Sequence, residues 1–379
     1  MPDWSQVFKR RTPAQPVKPK SALREWLEAL VVAGGLAILI RTFLIEAFMI
    51  PTPSMERSLM VGDFLFVSKL HYGPRLPMAP LSIPFMHNRI LWSNIPSFLD
   101  WVTFPYARIP GFTEVKRGDV IVFNFPAEDL FPNHPDLGPL NIPSVKENYI
   151  KRCVAVGGDT VQVKEGELYI NGKQEVRLPT MSSTFNVQTT AEGFNPKVMK
   201  RLGFRKPGDA FYQIEDGSAP FYRITMSDEV AGEIKRFDNV RDVRREVYPK
   251  ELFDARSYPA DPALYRWNVD HFGPVWVPKK GATVELNAKT LPLYRRCISV
   301  YEHHTLVEKD GQVTIDGKPA TSYTFEMNYY FAMGDNRHNS QDGRVWGFVP
   351  EDHLVGKPLF VLFSWEGGPR WNRFFHGVN

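Results

Sequence analysis

Ser54 lies in the turn Pro51-Thr52-Pro53-Ser54-Met55, and Lys151 is flanked by Tyr149, Ile150, Cys153, Val154 and Val156. A serine hydroxyl attacks a carbonyl only when a base removes its proton, and a lysine is a base only when neutral. Free lysine titrates near about 10.4, too high for that work at neutral pH. Burial in an apolar strand lowers the value by up to about 3–5 units. A neutral Lys151 beside Ser54 would take the hydroxyl proton and later protonate a leaving amine, a triad logic that needs no histidine. Alone, each residue has a plainer reading. A serine in a Pro-rich turn ordinarily serves the turn, and a lysine next to a short apolar strand is ordinarily solvated.

The elements that must position this pair read as β-structure. FLFV is a strand entered through Gly62-Asp63, while Pro51 and Pro53 exclude a regular helix before it. From Val115 onward, GDVIVFNFP, NYIKRCVAVGG and DTVQVKEGELYINGK read as strands, with hairpin signals at Glu165-Gly166 and Asn171-Gly172. TSYTFEMNYYFAMGD, GRVWGFVP and GKPLFVLFSW are further strand candidates, the last too short to span a membrane as a helix. The 32 prolines and 27 glycines suit a turn-rich β-protein, and 43% apolar residues suffice for a folded core. Residues 73–112 are rich in Pro and aromatics, either a packed loop or an irregular lobe on a bilayer surface. The stretch 173–290 carries no catalytic motif. Tyr149-Ile-Lys-Arg-Cys153-Val-Ala-Val is echoed by Leu293-Tyr-Arg-Arg-Cys297-Ile-Ser-Val, as duplicated hairpins or by chance. Arg295 in the second copy cannot serve as the same base.

The N-terminal region carries the charge bias. Residues 1–24 hold Lys9, Arg10, Arg11, Lys18, Lys20 and Arg24 against Asp3, leaving 40 basic and 41 acidic residues elsewhere. A nucleic-acid-binding body gains no support from that balance. The uncharged run Ala29–Ile40 extends to 20 residues as Trp26–Ile45 if Glu28 and Arg41 lean toward headgroups, with Trp26 at an interface. A membrane anchor is the expected reading, a cleaved leader or a buried core helix the alternatives. The basic flank then places the N-terminus in the cytoplasm and the chain after about residue 45 outside. Two cysteines, Cys153 and Cys297, make no metal site; a single bridge between them stays open.

Five blocks in order, the anchor, PTPSMERSLMVGDFLFVSKL (51–70), RGDVIVFNFP (117–126), NYIKRCVAVGGDTV (148–161) and GDNRHNSQDGRVWGFVP (334–350), resemble the signature boxes of type I signal peptidases. The resemblance implies Ser54 as nucleophile and Lys151 as general base, with the Ser54 N–H and the Thr52 hydroxyl as oxyanion hole. It implies Ser340 as the residue that orients the lysine, and Asp335, Arg337, Asp342 and Arg344 as a buried polar network. It implies Phe48, Ile50, Met55, Leu59, Tyr149 and Ile150 as walls of shallow apolar pockets for an Ala-x-Ala substrate pattern. Three departures stand out. Glu56-Arg57-Ser58-Leu59 replaces the common x-Pro-Thr-Leu, Gly343 replaces a serine, and His338 replaces an acid, which raises a Ser–His pair as a lesser alternative.

The expected fold is mainly β: a coiled-sheet catalytic core, an inserted β-rich lobe and one N-terminal transmembrane helix. The expected divisions are a basic tail (1–24), an anchor (25–45), the core in two parts (46–172 and 326–379) and an inserted lobe (173–325). The expected function is removal of signal peptides from exported preproteins at the outer face of the cytoplasmic membrane, by a single-pass enzyme without metal or cofactor. Its expected partners are preproteins and membrane lipid. A soluble Ser–Lys self-cleaving protease and a non-enzymatic membrane-tethered binding module are the rival readings.

Overall fold

A computed structural model describes residues 21–82, 97–99, 101–127, 130, 142–190, 194–202, 211–214 and 221–378. Most of the basic N-terminal tail therefore lies outside the described residues. Helix α1 (Ala22–Phe43) is capped by Ser21, whose side chain accepts from Arg24 N–H, with Glu25 in its first turn and Arg41 in its last. Its 22 residues give it a length on the order of 33 Å, enough for a bilayer core. None of its residues is buried by the rest of the protein. The helix starts and stops slightly before the expected anchor, because Ile45 already belongs to a strand.

That strand, β1 (Ile45–Met49), pairs antiparallel with β2 (Asp63–Ser68). The sheet continues through β3 (Val120–Asn124), β4 (Asn148–Val156), β5 (Tyr329–Met333) and β6 (Leu354–Ser364) in the spatial order β1-β2-β6-β3-β4-β5, with short strands at Val349–Pro350 and His376–Gly377. Strand β6 makes the sheet curl: its start pairs with β3 at Leu354↔Phe123, while the remainder pairs with β2, with register shifts along the way. Apolar clusters pack on both faces of β3 in the curled sheet. Ile121, Phe123, Phe125, Cys153 and Trp346 form one, and Met55, Leu59, Leu65, Val67, Val120 and Val122 form the other. Side chains alternate along β3 between the two clusters, as the period of a strand requires.

Beyond the curled sheet, Thr160–Lys164, Glu167–Ile170 and Lys173–Gln174 form a meander joined by Phe272–Trp276. A separate four-stranded sheet centres on Ser183–Thr189 and Phe221–Met226, flanked by Val240–Arg245 and Phe211–Ile214. It has its own core of Phe185, Val187, Tyr222, Ile224, Met226, Val230 and Ile234.

One strand candidate and the stretch left open as a duplicated hairpin or a chance echo are helical. Thr290–Arg296 is an α-helix that continues as a wider turn over Cys297–Tyr301. The echo of Tyr149–Val156 is thus not a duplicated strand, although the hairpin after each copy is present (Thr160–Lys164 with Glu167–Ile170, and Leu306–Lys309 with Gln312–Ile315). The physical reason is packing: Leu291, Tyr294, Cys297, Ile298 and Tyr301 bury one helical face in the large core cluster. Likewise Gly343–Trp346, expected as strand, is a helical turn capped by Asp342, and only Val349–Pro350 of that block pairs in the sheet. Cys153 and Cys297 are both buried free thiols in different clusters, so the bridge left open does not form.

Candidate active site

Strand β1 ends where Pro51 and Pro53 interrupt it, and Pro53–Met55 forms a 3-10 turn with proline at its first position. The loop base is closed by Ile50 N–H to Asp63 O at 2.8 Å and Gly62 N–H to Ile50 O at 2.9 Å. Met55 and Leu59 are fully buried and fasten the turn to the apolar cluster. Asp63, also fully buried, accepts from Met60 N–H, Ser364 Oγ and the Arg373 guanidinium. From the opposite side Asn336 donates its N–H to Ser54 O at 3.0 Å and its Nδ2 to Pro53 O at 3.2 Å. Gly334 is required by this approach, since a Cβ there would sit 2.6 Å from Ser54 O.

Lys151 stands opposite Ile121 in the β3–β4 register and is 3% exposed. Its Nζ donates to Ser54 Oγ at 2.7 Å and to Ile150 O at 2.9 Å. Burial pushes its ammonium down to about 8, against the opposing pull of the Asp342 and Asp335 carboxylates. A lysine with that value has a neutral fraction at neutral pH and a hydroxyl within proton-transfer distance.

The buried network behind the lysine has two ion pairs. Arg152 grips Asp335 with two bonds, 2.8 and 2.7 Å, and donates to Gly118 O. Arg344 grips Asp342 with bonds of 2.9 and 2.7 Å, and also donates to Arg337 O and Val269 O. Asp342 in turn caps its helical turn and accepts from Gly334 N–H, which fixes the glycine against Ser54. Ser58 Oγ donates to Asp335, so the residues that depart from the common x-Pro-Thr-Leu still engage the network. Arg337 pairs with no carboxylate among the described residues. Its guanidinium meets the sulfurs of Met181 and Met333, its Nε has no partner, and burial lowers it to about 10.

Several expected placements differ. Ser340 Oγ does not bond Lys151; it is buried, has no hydrogen-bond partner among the described residues, and a Cβ at Gly334 would lie 2.2 Å from it. The lysine instead donates to Ser54 Oγ and Ile150 O. Of the expected pocket walls, Tyr149 and Ile150 line the cleft at Ser54, whereas Ile50, Met55 and Leu59 are buried behind it with Phe48 packed against them. Thr52 is exposed and lines the cleft. His338 is not a partner of Ser54. Its Nδ1 accepts from Thr184 N–H at 2.9 Å and its Nε2 faces the Asp270 carboxylate at 2.9 Å, so both ring nitrogens are committed.

Sequence reasoning missed Arg152, Asn336, Ser58 and Asp270. Arg152 adjoins Lys151 in the strand, and alternation alone would have aimed it at the opposite face. Sequence reasoning also missed a wall of the cleft. The cavity at Ser54, about 880 Å³, is bounded on one side by Tyr248, Leu252, Phe253, Ala255, Arg256 and Asn268. Those residues come from the stretch without catalytic motifs. It is tied to the site by Asp270–His338 and by Tyr258 N–H donating to Arg344 O at 2.9 Å.

Comparison with known proteins adds the family. The profile of the family described as "Signal peptidase, peptidase S26" matches residues 23–204 and 277–363. A protein named signal peptidase I from Haemophilus influenzae is 26% identical over 381 residues, covering 96% of this chain and 78% of the relative. Signal peptidase I of Pseudomonas aeruginosa is 26% identical, with 87% of this chain and 69% of the relative covered. That of Aquifex aeolicus is also 26% identical, with 87% and 80% covered. The profile passes over residues 205–276, which include the cleft wall at 248–269.

Proposed function

The chain belongs to the peptidase S26 family of signal peptidases, and from that premise we propose how it removes signal peptides from preproteins. The observation that carries the reading is the 2.7 Å contact between Ser54 Oγ and the buried Lys151 Nζ. Neutral Lys151 accepts the Ser54 proton as Oγ attacks the scissile carbonyl carbon. The oxyanion of the tetrahedral intermediate is held by the Ser54 N–H and the Thr52 hydroxyl; such a donor is worth roughly 3–4 kcal/mol in comparable sites. Collapse breaks the C–N bond, Lys151 returns its proton to the departing amine, and an ester on Ser54 remains. Water then loses a proton to Lys151 and attacks the ester carbonyl; collapse breaks the C–Oγ bond, frees the carboxylic acid product, and Lys151 returns the proton to Ser54 Oγ.

Asp335, Asp342, Arg337 and Arg344 shape the site and transfer no protons: Arg152 and Arg344 occupy the two carboxylates, and, against the effect of burial, Arg344 holds the Asp342 carboxyl below its ordinary value. Ser340 lines the same cleft as Ser54 and Lys151, and it would orient the lysine only once its hydroxyl closes to hydrogen-bond distance. The apolar walls at Tyr149 and Ile150, backed by Phe48, Ile50, Met55 and Leu59, support small side chains at the last and third-last substrate positions before the cut. Helix α1 anchors the enzyme in a bilayer. The basic residues of the tail and Arg24 at the helix start support a cytoplasmic N-terminus, with the catalytic body on the opposite side of the cytoplasmic membrane.

Purified full-length protein is expected to cleave a preprotein ending its signal in Ala-x-Ala, and to lose that cleavage when the last Ala is replaced by Phe. A Phe substrate cut equally well would overturn the pocket assignment. In sealed inverted membrane vesicles, added protease is expected to leave the catalytic body intact; its digestion there would reverse the topology.

A further inference from the structure

The cleft wall at residues 248–256 takes no part in the proton transfers at Ser54, and the family profile passes over it. Its residues nevertheless line the cavity that holds Ser54 and Lys151. The wall is a fixed surface. Asn268 is buried and donates its Nδ2 to Pro249 O at 2.9 Å and to Leu252 O at 2.6 Å. Its Oδ1 accepts from the N–H groups of Asp270 and His271, each at 2.9 Å, so all four of its hydrogen-bonding positions are used. On either side of Leu252 the chain is held by Tyr248 N–H to the Asp270 carboxylate and by Asp254 N–H to Trp267 O, both at 2.9 Å. Asp270 in turn meets His338 of the catalytic block. A turn anchored this way presents its side chains in place, which lowers the ordering cost of binding.

What the turn presents is apolar. Leu252 lines the cavity and is 56% exposed, with half-buried Phe253 beside it under the Arg266 guanidinium, 4.3 Å from the ring centroid. The cavity is continuous with the catalytic cleft, so its occupant is the substrate chain. An extended peptide points successive side chains to opposite faces. With the last and third-last side chains before the cut turned into the small pockets at Tyr149 and Ile150 of β4, the second-last side chain turns away from β4. The cavity of about 880 Å³ has room for a large residue there.

We propose that Leu252, with Phe253 beside it, determines specificity for the second-last residue before the cut and favours a large apolar side chain at that position. Such a side chain covers the exposed face of Leu252 and removes apolar surface from water on both partners. The inference deepens the signal-peptide reading and rests on it: the middle residue of Ala-x-Ala is read by a wall that the inserted stretch supplies.

The test measures kcat/KM of the full-length protein on preproteins that differ only in the middle residue of Ala-x-Ala, set to Leu, Ala or Lys. The wild type is expected to favour Leu over Ala about tenfold, the discrimination that a few buried methylenes support. Leu252→Ser is expected to reduce that ratio to about twofold, and Leu252→Met to keep most of it. Leu252→Glu should turn the preference from Leu toward Lys, a gain that only folded protein can show. Because Leu252 is exposed, the three variants are expected to fold. A purely structural role would lower all three substrates alike and leave the ratios unchanged, which would overturn the proposal. Equal cleavage of the Leu and Ala substrates by the wild type would also overturn it while leaving the signal-peptide reading intact. Wild-type protein that cuts no Ala-x-Ala preprotein would overturn that reading as well.

Discussion

Ser54→Ala and Lys151→Arg are each expected to lower preprotein cleavage on the order of 10⁴–10⁶-fold, the loss seen when a serine nucleophile or its base is removed from a comparable site. The two variants fail for different reasons. Alanine removes the attacking oxygen. Arginine keeps the positive charge and much of the length of Lys151, but its guanidinium stays protonated and cannot accept the Ser54 proton. Lys151 also forms its bonds from a position only 3% exposed, so the larger guanidinium must displace its surroundings. Both proteins should still enter membranes, since α1 and the sheet do not depend on the dyad. Cleavage of a radiolabelled preprotein, with near-ultraviolet circular dichroism to establish folding, measures the outcome. A folded Lys151→Arg enzyme that retains a substantial share of the wild-type rate would remove Lys151 from the mechanism.

Arg152→Ala is expected to be the most destabilising single change in the network behind the site. Arg152 and Asp335 are 4% and 0% exposed, and they meet at 2.7 Å. Removing the arginine leaves a fully buried carboxylate with Ser58 as its remaining side-chain donor among the described residues, at a cost of about 3–5 kcal/mol. Replacing both members by apolar residues of similar volume should recover most of that loss, because the pair's own desolvation disappears with it. The contrast is Arg117 with Asp159. That arginine is 44% exposed, and Arg117→Ala should cost no more than about 1 kcal/mol. Denaturant midpoints for the three variants decide the matter. A loss at Arg152 no larger than at Arg117 would show that Asp335 finds another partner.

The chemistry was more legible in the sequence than the scaffold around it. Ser54, Lys151 and the block 334–350 stand in local patterns whose residue types survive without knowledge of the fold, and the structure brings Ser54 and Lys151 to hydrogen-bond distance. The strand Val120–Asn124 was legible because an apolar run follows Gly118-Asp119, and Asn148–Val156 because β-branched and aromatic residues around Lys151-Arg152 stop at Gly157-Gly158-Asp159. Strand Ile45–Met49 was hidden because its apolar residues follow the helix run without a break, and only pairing with Phe64–Ser68 reveals it. Thr290–Tyr301 was misleading for a related reason. YRRCISV has the composition of a strand, and burial of Leu291, Tyr294 and Ile298 against a distant core decides for helix. Partners remote in the chain left no local signal. Asp270 reaches His338 across 68 positions, and Met181 reaches Arg337 across 156. Ser340 was placed by resemblance; it lines the cleft with Ser54 and Lys151, but its hydroxyl makes no hydrogen bond to the lysine among the described residues.

The central claim is that a lysine held near neutrality by burial activates Ser54, and the pH dependence of kcat/KM tests it most directly. Only the unprotonated amine accepts the serine proton, so the rate must be low where Lys151 is charged and rise as it loses its proton. Lys151 is pushed down to about 8, and kcat/KM is expected to climb with pH through an apparent value near there, well below that of free lysine. The same limb should persist in His338→Ala, whose imidazole is committed to Asp270 and Thr184. A limb centred near the ordinary histidine value of about 6.5 and abolished in His338→Ala would contradict the account, as would a limb near that of free lysine.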